Sequence, residues 1–306
     1  MSPAAVQVGV GLRHSDDIAA RAARLEALGF DSVHAGEHVF FHGPTTNAMI
    51  ALAVAAGATS RISLVSAIVL LPLYPAAQIA KMASVLDVAS GGRFRLGVGV
   101  GGEFPAEFRA VGVPHEERGR RSDEALGLIR RLFTGERVSF AGRWAQLDDL
   151  ALQPPPATPG GPPIWVAGRR EAAQRRAGRY GDVWMPYLCT PEQLADGMVR
   201  VREAAAEAGR EPAAVGAAAY AFVAVHRDGE RARRTASETV GRMYRQDFSR
   251  LQRYLVAGTP AECAARLGEF REAGASHVQL NPACRVEDEP AMLGLLAEEV
   301  LPLLRG

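Results

Sequence analysis

Short apolar runs alternate with amphipathic stretches along this chain of 306 residues. From Val6 to Val10 every second residue is apolar, which is the period of a strand, and apolar residues then recur at helical spacing over residues 18–28. Ser15 is placed to cap that helix, and Gly29 to end it. The chain therefore opens with a strand followed by a helix.

The same unit recurs to the end of the chain. Residues 62–71 are nearly all apolar, which is typical of strands covered on both faces. Further strands are predicted at residues 30–35, 62–71, 94–98, 164–166, 182–186, 217–225 and 277–280. Further helices are predicted at residues 48–58, 75–88, 120–133, 171–179, 191–208, 230–254, 260–273 and 291–304.

Eight strands alternating with helices, without a break in composition that would mark a linker, predict an α/β fold. We expect a single (β/α)8 TIM barrel over residues 1–306, with insertions after strand four and around strand seven. The first insertion holds the irregular residues 139–156, which end in three consecutive prolines. An open doubly wound sheet is the alternative.

The glycine-rich residues 90–112 are the densest pattern in the sequence. Gly97, Gly99 and Gly102 match the dinucleotide fingerprint G-x-G-x-x-G, which would indicate a Rossmann protein. That fingerprint belongs to a βαβ unit of about 30 residues. Here a polar segment, residues 115–121, and a helix to residue 133 come before the next strand, so we interpret the glycines as backbone that a ligand approaches closely.

Composition and net charge narrow the class of molecule that this protein is expected to bind. The 35 basic and 34 acidic residues give a net charge of +1, which offers no bulk attraction for nucleic acid or an anionic membrane. The cysteines Cys189, Cys263 and Cys284 are far apart, so neither a disulfide framework nor a thiolate metal site is indicated. No apolar run is long enough to span a membrane. We expect a cytoplasmic protein that acts on a small molecule.

Active sites of such barrels lie just past the carboxyl ends of the strands. After strand two comes His34-Ala35-Gly36-Glu37-His38, which matches the H-x-x-E-H zinc motif. That motif requires a helix, whereas this stretch reads as a strand and its end, so we predict no metal. Glu37 and His38 are instead candidate catalytic residues, with His38 able to exchange a proton. The alternative is that His38 is an ordinary hydrogen-bonded loop residue.

Two further strand ends suit a cofactor. The small and β-branched residues 66–69 would let a flat ring lie against backbone, although they are equally compatible with an ordinary buried strand. After strand five, Gly168-Arg169-Arg170 opens a helix, where free N–H groups and two guanidinium groups suit a phosphate. Solvated arginines on a helix are the alternative there.

The segments SGGRFRLGVGVGGEFPAEFRAVG, PPIWVAGRREAAQRRAGRYGDVWMP and GTPAECAARLGEFREAGASHVQL, in this order and spacing, resemble the bacterial luciferase-like superfamily. The resemblance covers essentially the whole chain and is strongest to the branch of F420-dependent oxidoreductases. It implies a TIM-barrel enzyme that uses the deazaflavin F420 for hydride transfer to or from a small organic substrate. An FMN-dependent monooxygenase using O2 and a non-catalytic flavin-binding protein are the alternatives. The resemblance also implies a homodimer.

The resemblance assigns roles to individual residues. It implies a cis peptide bond at Ala67-Ile68 against the central ring of the cofactor, and it places Glu37-His38 beside the reactive face. The residues implied along the ring and its side chain are Gly99, Val100 and Gly101. Those implied at the phosphate are Gly168, Arg169 and Arg170. Some F420 dehydrogenases have a glutamate where this chain has Gly102, with Glu103 one place later, which puts sugar-phosphate oxidation in doubt.

Overall fold

The computed structural model describes residues 6–13, 17–245, 247–248 and 251–305. Its strands are β1 (Gln7–Gly11), β2 (Ser32–Ala35), β3 (Ser63–Ser66), β4 (Val69–Leu70), β5 (Phe94–Gly99), β6 (Val138–Ala141), β7 (Gln146–Leu150), β8 (Ile164–Ala167), β9 (Val183–Met185), β10 (Gly216–Val225), β11 (Leu255–Gly258) and β12 (Ala275–Pro282). Its α-helices are α1 (Ile18–Ala27), α2 (Ala48–Ala58), α3 (Ala76–Ser90), α4 (Pro105–Ala110), α5 (Arg118–Leu132), α6 (Glu171–Tyr180), α7 (Pro191–Glu207), α8 (Gly229–Tyr244), α9 (Pro260–Glu272), α10 (Glu289–Leu295) and α11 (Leu301–Arg305).

Eight parallel strands close into a barrel, as predicted. The order around it is β1, β2, β3, β5, β8, β9, β10 and β12, and β12 pairs with β1 to complete the ring. Helices follow the strands and cover the outside, so that the strands are buried on both faces. The interior is filled by side chains that include Val65, Trp165, Val183, Met185 and Ala218.

Several helices begin and end at the residues that local chemistry favours. Thr190 and Thr259 each form a reciprocal capping box at the start of α7 and α9. Gly91 ends α3 in the left-handed conformation, with φ of 66°. Ser15, the predicted cap of α1, lies outside the described residues, and Asp17 accepts the capping bond from the N–H of Ala20.

Two predicted elements, the strand over residues 62–71 and the final helix, are interrupted in the structure. The strand predicted over residues 62–71 is divided into β3 and β4. From Val65 to Val69 the chain advances four residues while its partner β5 advances three, from Arg95 to Val98, so one extra residue bulges out. The final helix, predicted as continuous, contains a π-helical turn at Leu296–Val300.

The insertions also contain strands that the apolar pattern did not predict. The segment after β5 includes the antiparallel hairpin of β6 and β7. The helix predicted over residues 230–254 ends at Tyr244, and part of the remainder lies outside the described residues. The short strand β11 follows and pairs with the second half of β10.

The three cysteines are buried and unpaired. In the described part of the chain, no helix is long and apolar enough to cross a membrane.

Candidate active site

The carboxyl ends of β3, β5 and β8 form one wall of the barrel mouth. The Ala67-Ile68 peptide bond that follows β3 is cis, as the resemblance implied. A Cβ added at Gly99 would lie 2.2 Å from Cδ1 of Ile68 and 3.8 Å from Cβ of Ala167. The side chain of Ile68 therefore lies directly against the backbone of Gly99, where the three neighbouring strand ends meet.

The backbone that follows β5 turns in conformations that favour glycine. Gly101 has φ of 61° and Gly102 has φ of 120°, both in the left-handed region. A Cβ at Gly101 would lie 3.0 Å from Cδ2 of Leu70, so this loop packs against β4. Val100 is partly exposed between Gly99 and this turn. The structure thus brings together the predicted residues Ile68, Gly99, Val100 and Gly101.

Glu37 is buried and holds the loop after β2 in place. Its Oε2 accepts hydrogen bonds from Nδ2 of Asn47 and from the N–H of Ala48, and its Oε1 accepts one from the N–H of Leu70. Burial raises the pKa of this carboxyl above its ordinary value, although the backbone donors act in the opposite direction. Nearby Tyr74 has its pKa raised to about 12, chiefly by burial and then by the charge of Glu37. These contacts tie the start of α2 to β4.

His38 points to a different environment and remains partly exposed, with 18% of its side chain accessible. Its Nδ1 lies 3.1 Å and 3.2 Å from the two carboxylate oxygens of Glu107 on α4. Phe41 stacks on the imidazole, with ring centroids 4.2 Å apart and planes 15° apart. The loop after β2 and the helix after β5 therefore hold this ring jointly.

Gly168, Arg169 and Arg170 lead into α6, as the sequence predicted. Gly168 has φ of 117°, and its carbonyl accepts a bond of 2.7 Å from Nε1 of the buried Trp184. The guanidinium of Arg169 lies over the ring of Tyr187 at 5.4 Å from its centroid. Arg170 is exposed at the N-cap position of α6, and its side chain makes no capping bond to the helix. The amino end of α6 is thus open to an anion.

Two buried polar atoms beside Gly102 have no hydrogen-bond partner in the described structure. They are Nε2 of His115 and Nε of Arg118. A Cβ at Gly102 would lie 3.0 Å from the Arg118 atom and 3.2 Å from the His115 atom, so both point at this glycine. Buried polar groups are normally bonded, and unpaired ones call for an explanation such as a ligand. Arg118 begins α5, and the carbonyl of Gly119 accepts a bond from Arg176 in the second turn of α6, so the start of α5 packs beside the middle of α6.

Tyr187 joins the loops that border this region. Its hydroxyl donates a bond of 2.8 Å to Oε1 of Glu103, which lies between Gly102 and α4. Burial, followed by the charge of Glu103, raises the pKa of Tyr187 to about 12. The phenol is therefore neutral and acts as a donor at neutral pH.

The two histidines of the H-x-x-E-H motif lie in different environments and have different partners. His34 is fully enclosed within the barrel wall, where its Nε2 lies 3.1 Å from the carbonyl of Leu280. His38 instead bonds to Glu107 at the mouth. Among the described residues, no group of three or more histidine, cysteine or acidic side chains is arranged to hold a metal ion.

Sequence reasoning missed Glu107, His115 and Arg118. The segment holding His115 and Arg118 was noted only as polar, and Glu107 lies within a helix of six residues. Their importance comes from contacts between segments that are far apart in sequence: His38 and Glu107 are 69 positions apart. The only local signal for Glu107 was its place two residues after Pro105, which begins α4.

The sequence of this chain matches a family model and several curated proteins. Residues 2–277 match the model of the luciferase-like monooxygenase family. The chain is 35% identical over 245 residues to an F420-dependent hydroxymycolic acid dehydrogenase of Mycobacterium tuberculosis, covering 76% of this chain and 66% of that protein. It is 32% identical over 188 residues to an FMNH2-dependent dimethylsulfone monooxygenase of Pseudomonas putida, covering 60% of this chain and 50% of that protein.

A solved structure is similar over nearly the full length. The monooxygenase RslO1 from Streptomyces bottropensis superimposes with a TM-score of 0.85 at 27% sequence identity. The match covers 97% of this chain and 99% of RslO1. The fold is therefore shared from end to end, whereas the curated relatives are matched over two thirds of their length or less.

Proposed function

The chain belongs to the luciferase-like monooxygenase family, and from that premise we propose that it is an oxidoreductase using the deazaflavin F420 for hydride transfer to or from a small organic substrate. The observation that carries the proposal is the wall at the mouth of the barrel, where the side chain of Ile68 lies against the backbone of Gly99 and beside Ala167. A flat ring can pack on this wall, because Gly99 has no side chain and Ala67 and Ala167 have small ones.

The residues present fit a phosphorylated ring cofactor. The unpaired Nε2 of His115 and Nε of Arg118 give an anion two donors beside Gly102. The open amino end of α6, with Arg169 and Arg170, adds backbone donors and positive charge. We propose that this end holds the phosphate, and that Ala67, Ile68, Gly99, Val100 and Gly101 line the ring and its side chain.

When bound, F420 would supply a carbon centre that accepts or donates a hydride. His38 would bind the substrate oxygen and give or take its proton, since an imidazole nitrogen can donate or accept one. Glu37 was predicted to share this task. Its carboxylate oxygens are engaged by Asn47, Ala48 and Leu70, so we propose that it acts by holding the loop that carries His38.

An FMN-dependent monooxygenase is the second candidate, favoured by the similarity to the Pseudomonas putida enzyme and to RslO1. The same wall and phosphate end would serve FMN, and the protein would then have to exclude water from the ring. A flavin-binding protein without turnover is distinguished from both by cofactor binding that yields no substrate oxidation or reduction.

Fluorescence titration of the purified protein with F420 and with FMN tests the proposal directly. We expect micromolar or tighter binding of F420 and at least tenfold weaker binding of FMN. Preference for FMN would move the assignment to the monooxygenase. Binding of neither would overturn the proposed site.

The phosphate end is tested by the double variant Arg169→Ala/Arg170→Ala. Loss of charge-assisted bonds should weaken F420 binding by about tenfold or more. A deazaflavin with a riboflavin-like side chain, which carries no phosphate group, should bind the wild type and the variant equally. Arg175→Ala is the matched control, because this arginine lies one turn further along α6, is exposed and pairs with Glu171. If the double variant bound both ligands more weakly by the same factor, Arg169 and Arg170 would have a structural role and would not bind the phosphate.

A further inference from the structure

We propose that Glu107 is a positioning residue that holds the imidazole of His38 with its proton on Nδ1, so that Nε2 faces the barrel mouth as a proton acceptor. The inference rests on the proposed function, and it names the substrate class as a compound with a hydroxyl or carbonyl group at the reacting carbon.

The side chain of Glu107 is buried, and its carboxylate is hydrogen-bonded by the segment that contains His38. Its side chain is 0% exposed, yet within the described residues it is paired with no arginine or lysine. Its oxygens accept from Nδ1 of His38 at 3.1 Å and 3.2 Å and from the N–H of Val39 at 3.1 Å. A buried carboxylate is costly unless its oxygens are bonded. The two residues that satisfy Glu107 are therefore His38 and its neighbour in the chain.

The chemistry of these groups then fixes the tautomer. An ionised carboxylate only accepts hydrogen bonds, so Nδ1 of His38 must carry the proton that it donates. In the neutral ring Nε2 is then a lone-pair acceptor. The face of the ring is held by Phe41. No described residue forms a hydrogen bond with Nε2, and 18% of the side chain is exposed.

This arrangement suits oxidation of an alcohol to a carbonyl compound. The hydroxyl proton passes to Nε2, and the two electrons of the O–H bond form the second carbon–oxygen bond. The carbinol C–H bond would break with its electron pair leaving as hydride, for which oxidised F420, when bound, would be the acceptor. The reverse reaction begins with His38 protonated and returns the proton to the carbonyl oxygen. Glu107 touches neither substrate nor cofactor in this scheme, so it acts through His38.

The variant Glu107→Gln separates positioning from simple loss of a charge. The amide has one accepting oxygen and one donating NH2 group. Since the N–H of Val39 can only donate, it retains the oxygen, and the NH2 group turns toward Nδ1 of His38. Nδ1 must then accept, which moves the proton to Nε2. A similar inversion of tautomer follows when the aspartate of a serine-protease triad becomes asparagine.

Nitrogen-15 NMR of the histidine side chains reads this tautomer without any cofactor. With His38→Ala used to assign the signal, we expect the Nδ1–H form in the wild type at alkaline pH and in Glu107→Asp. We expect the Nε2–H form in Glu107→Gln. An Nε2–H tautomer in the wild type overturns the proposal without reference to any variant.

Kinetics supply the second readout. We expect Glu107→Gln to lower kcat about 10- to 100-fold with little change in KM, on the scale of other lost orienting partners. Glu107→Asp should recover most of the activity. In a His38→Ala background, Glu107→Gln should cost nothing further. The exposed carboxylate Glu116, close by in the loop before α5, gives the control Glu116→Gln, which should match the wild type.

The outcomes distinguish this inference from the proposed function. An equal loss of kcat from Glu107→Gln with and without His38 would show that Glu107 supports the fold instead, and would overturn the inference. If neither F420 nor FMN binds but Glu107→Gln still inverts the tautomer, the positioning holds while the proposed function fails.

Discussion

Glu37 and His38 are adjacent in the chain, yet their side chains make opposite kinds of contact. Glu37 turns into the protein, where backbone N–H groups of α2 and β4 bind its carboxylate. His38 remains partly exposed, its Nδ1 is held by Glu107, and no described residue bonds its Nε2. Two consecutive residues after β2 therefore differ in role: Glu37 fixes the loop, and His38 carries an imidazole that can exchange a proton.

Burial disfavours the charged form of two other histidines, His34 and His277. Burial lowers the pKa of His34 to about 4, and burial followed by the charge of Arg95 lowers the pKa of His277 to about 4 as well. Both rings are thus neutral in the folded protein at neutral pH. In the unfolded chain they take up a proton near the ordinary pKa of about 6.5.

We expect stability to fall in acid for this reason. Between about pH 6.5 and pH 4 the unfolded chain binds more protons than the folded protein, so the free energy of unfolding decreases as the pH falls through this window. For His34 the loss amounts to at most about 3 kcal/mol. Urea unfolding at pH 7.5 and pH 5.0 measures it.

The variant His34→Gln keeps a donor for the carbonyl of Leu280 but cannot be protonated. It should show a smaller drop in unfolding free energy between the two pH values than the wild type shows. A drop of the same size in both proteins would mean that His34 does not contribute to the acid sensitivity.

At the scale of elements, close approach between strand ends decides where glycine is needed. Gly97 lies in β5, and a Cβ added there would be 1.7 Å from the carbonyl oxygen of Ser66 at the end of β3. The hydroxyl of Ser66 also donates to the carbonyl of Gly97 and accepts from its N–H. Backbone cannot yield as a flexible side chain would, so this contact fixes the spacing of β3 and β5.

We therefore expect Gly97→Ala to lower the free energy of unfolding by about 3 kcal/mol or more, or to abolish soluble expression. Gly268→Ala is the control: Gly268 lies within α9, and a Cβ there meets no atom within 4 Å. That change should stabilise the protein by about 0.5 to 1 kcal/mol, since alanine favours a helix. Thermal and urea unfolding of both variants provide the comparison. A Gly97→Ala protein as stable as the wild type would show that β3 and β5 can move apart.

Elements with strong periodicity were predictable from sequence, and those defined by pairing were not. The eight barrel strands, and helices such as α6 and α7, follow from apolar runs and from apolar residues at helical spacing. The strand β11 is four residues long and is stabilised by its pairing with β10, which no local pattern reveals. The same limit applied at the site, where the glycines and arginines were visible in sequence but Glu107 became visible only through His38.

At the scale of the whole molecule, the neighbouring helices α2 and α3 leave several apolar side chains exposed on the surface. The helix α2, with the sequence AMIALAVAAGA, contains no charged or polar side chain. Its Ile50 is 67% exposed and its Val54 43% exposed, and Val85 and Val88 are exposed on the neighbouring helix α3. A helix that is apolar on all sides is normally buried. The sequence did not show this surface, because it belongs to two helices that meet only in the fold.

We propose that a second copy of the chain covers this face, giving the expected homodimer. Light scattering after gel filtration should then give a wild-type mass of twice the 32.6 kDa chain. Lysine at Ile50 and Val54 would place two charges within the buried face, so Ile50→Lys/Val54→Lys should elute as a monomer with unchanged thermal stability of the barrel. Val199→Lys is the control, because Val199 is 55% exposed on α7 and away from this face. A monomeric wild type at tens of micromolar would contradict the proposal, and a dimer that survives both lysines would move the interface to another surface.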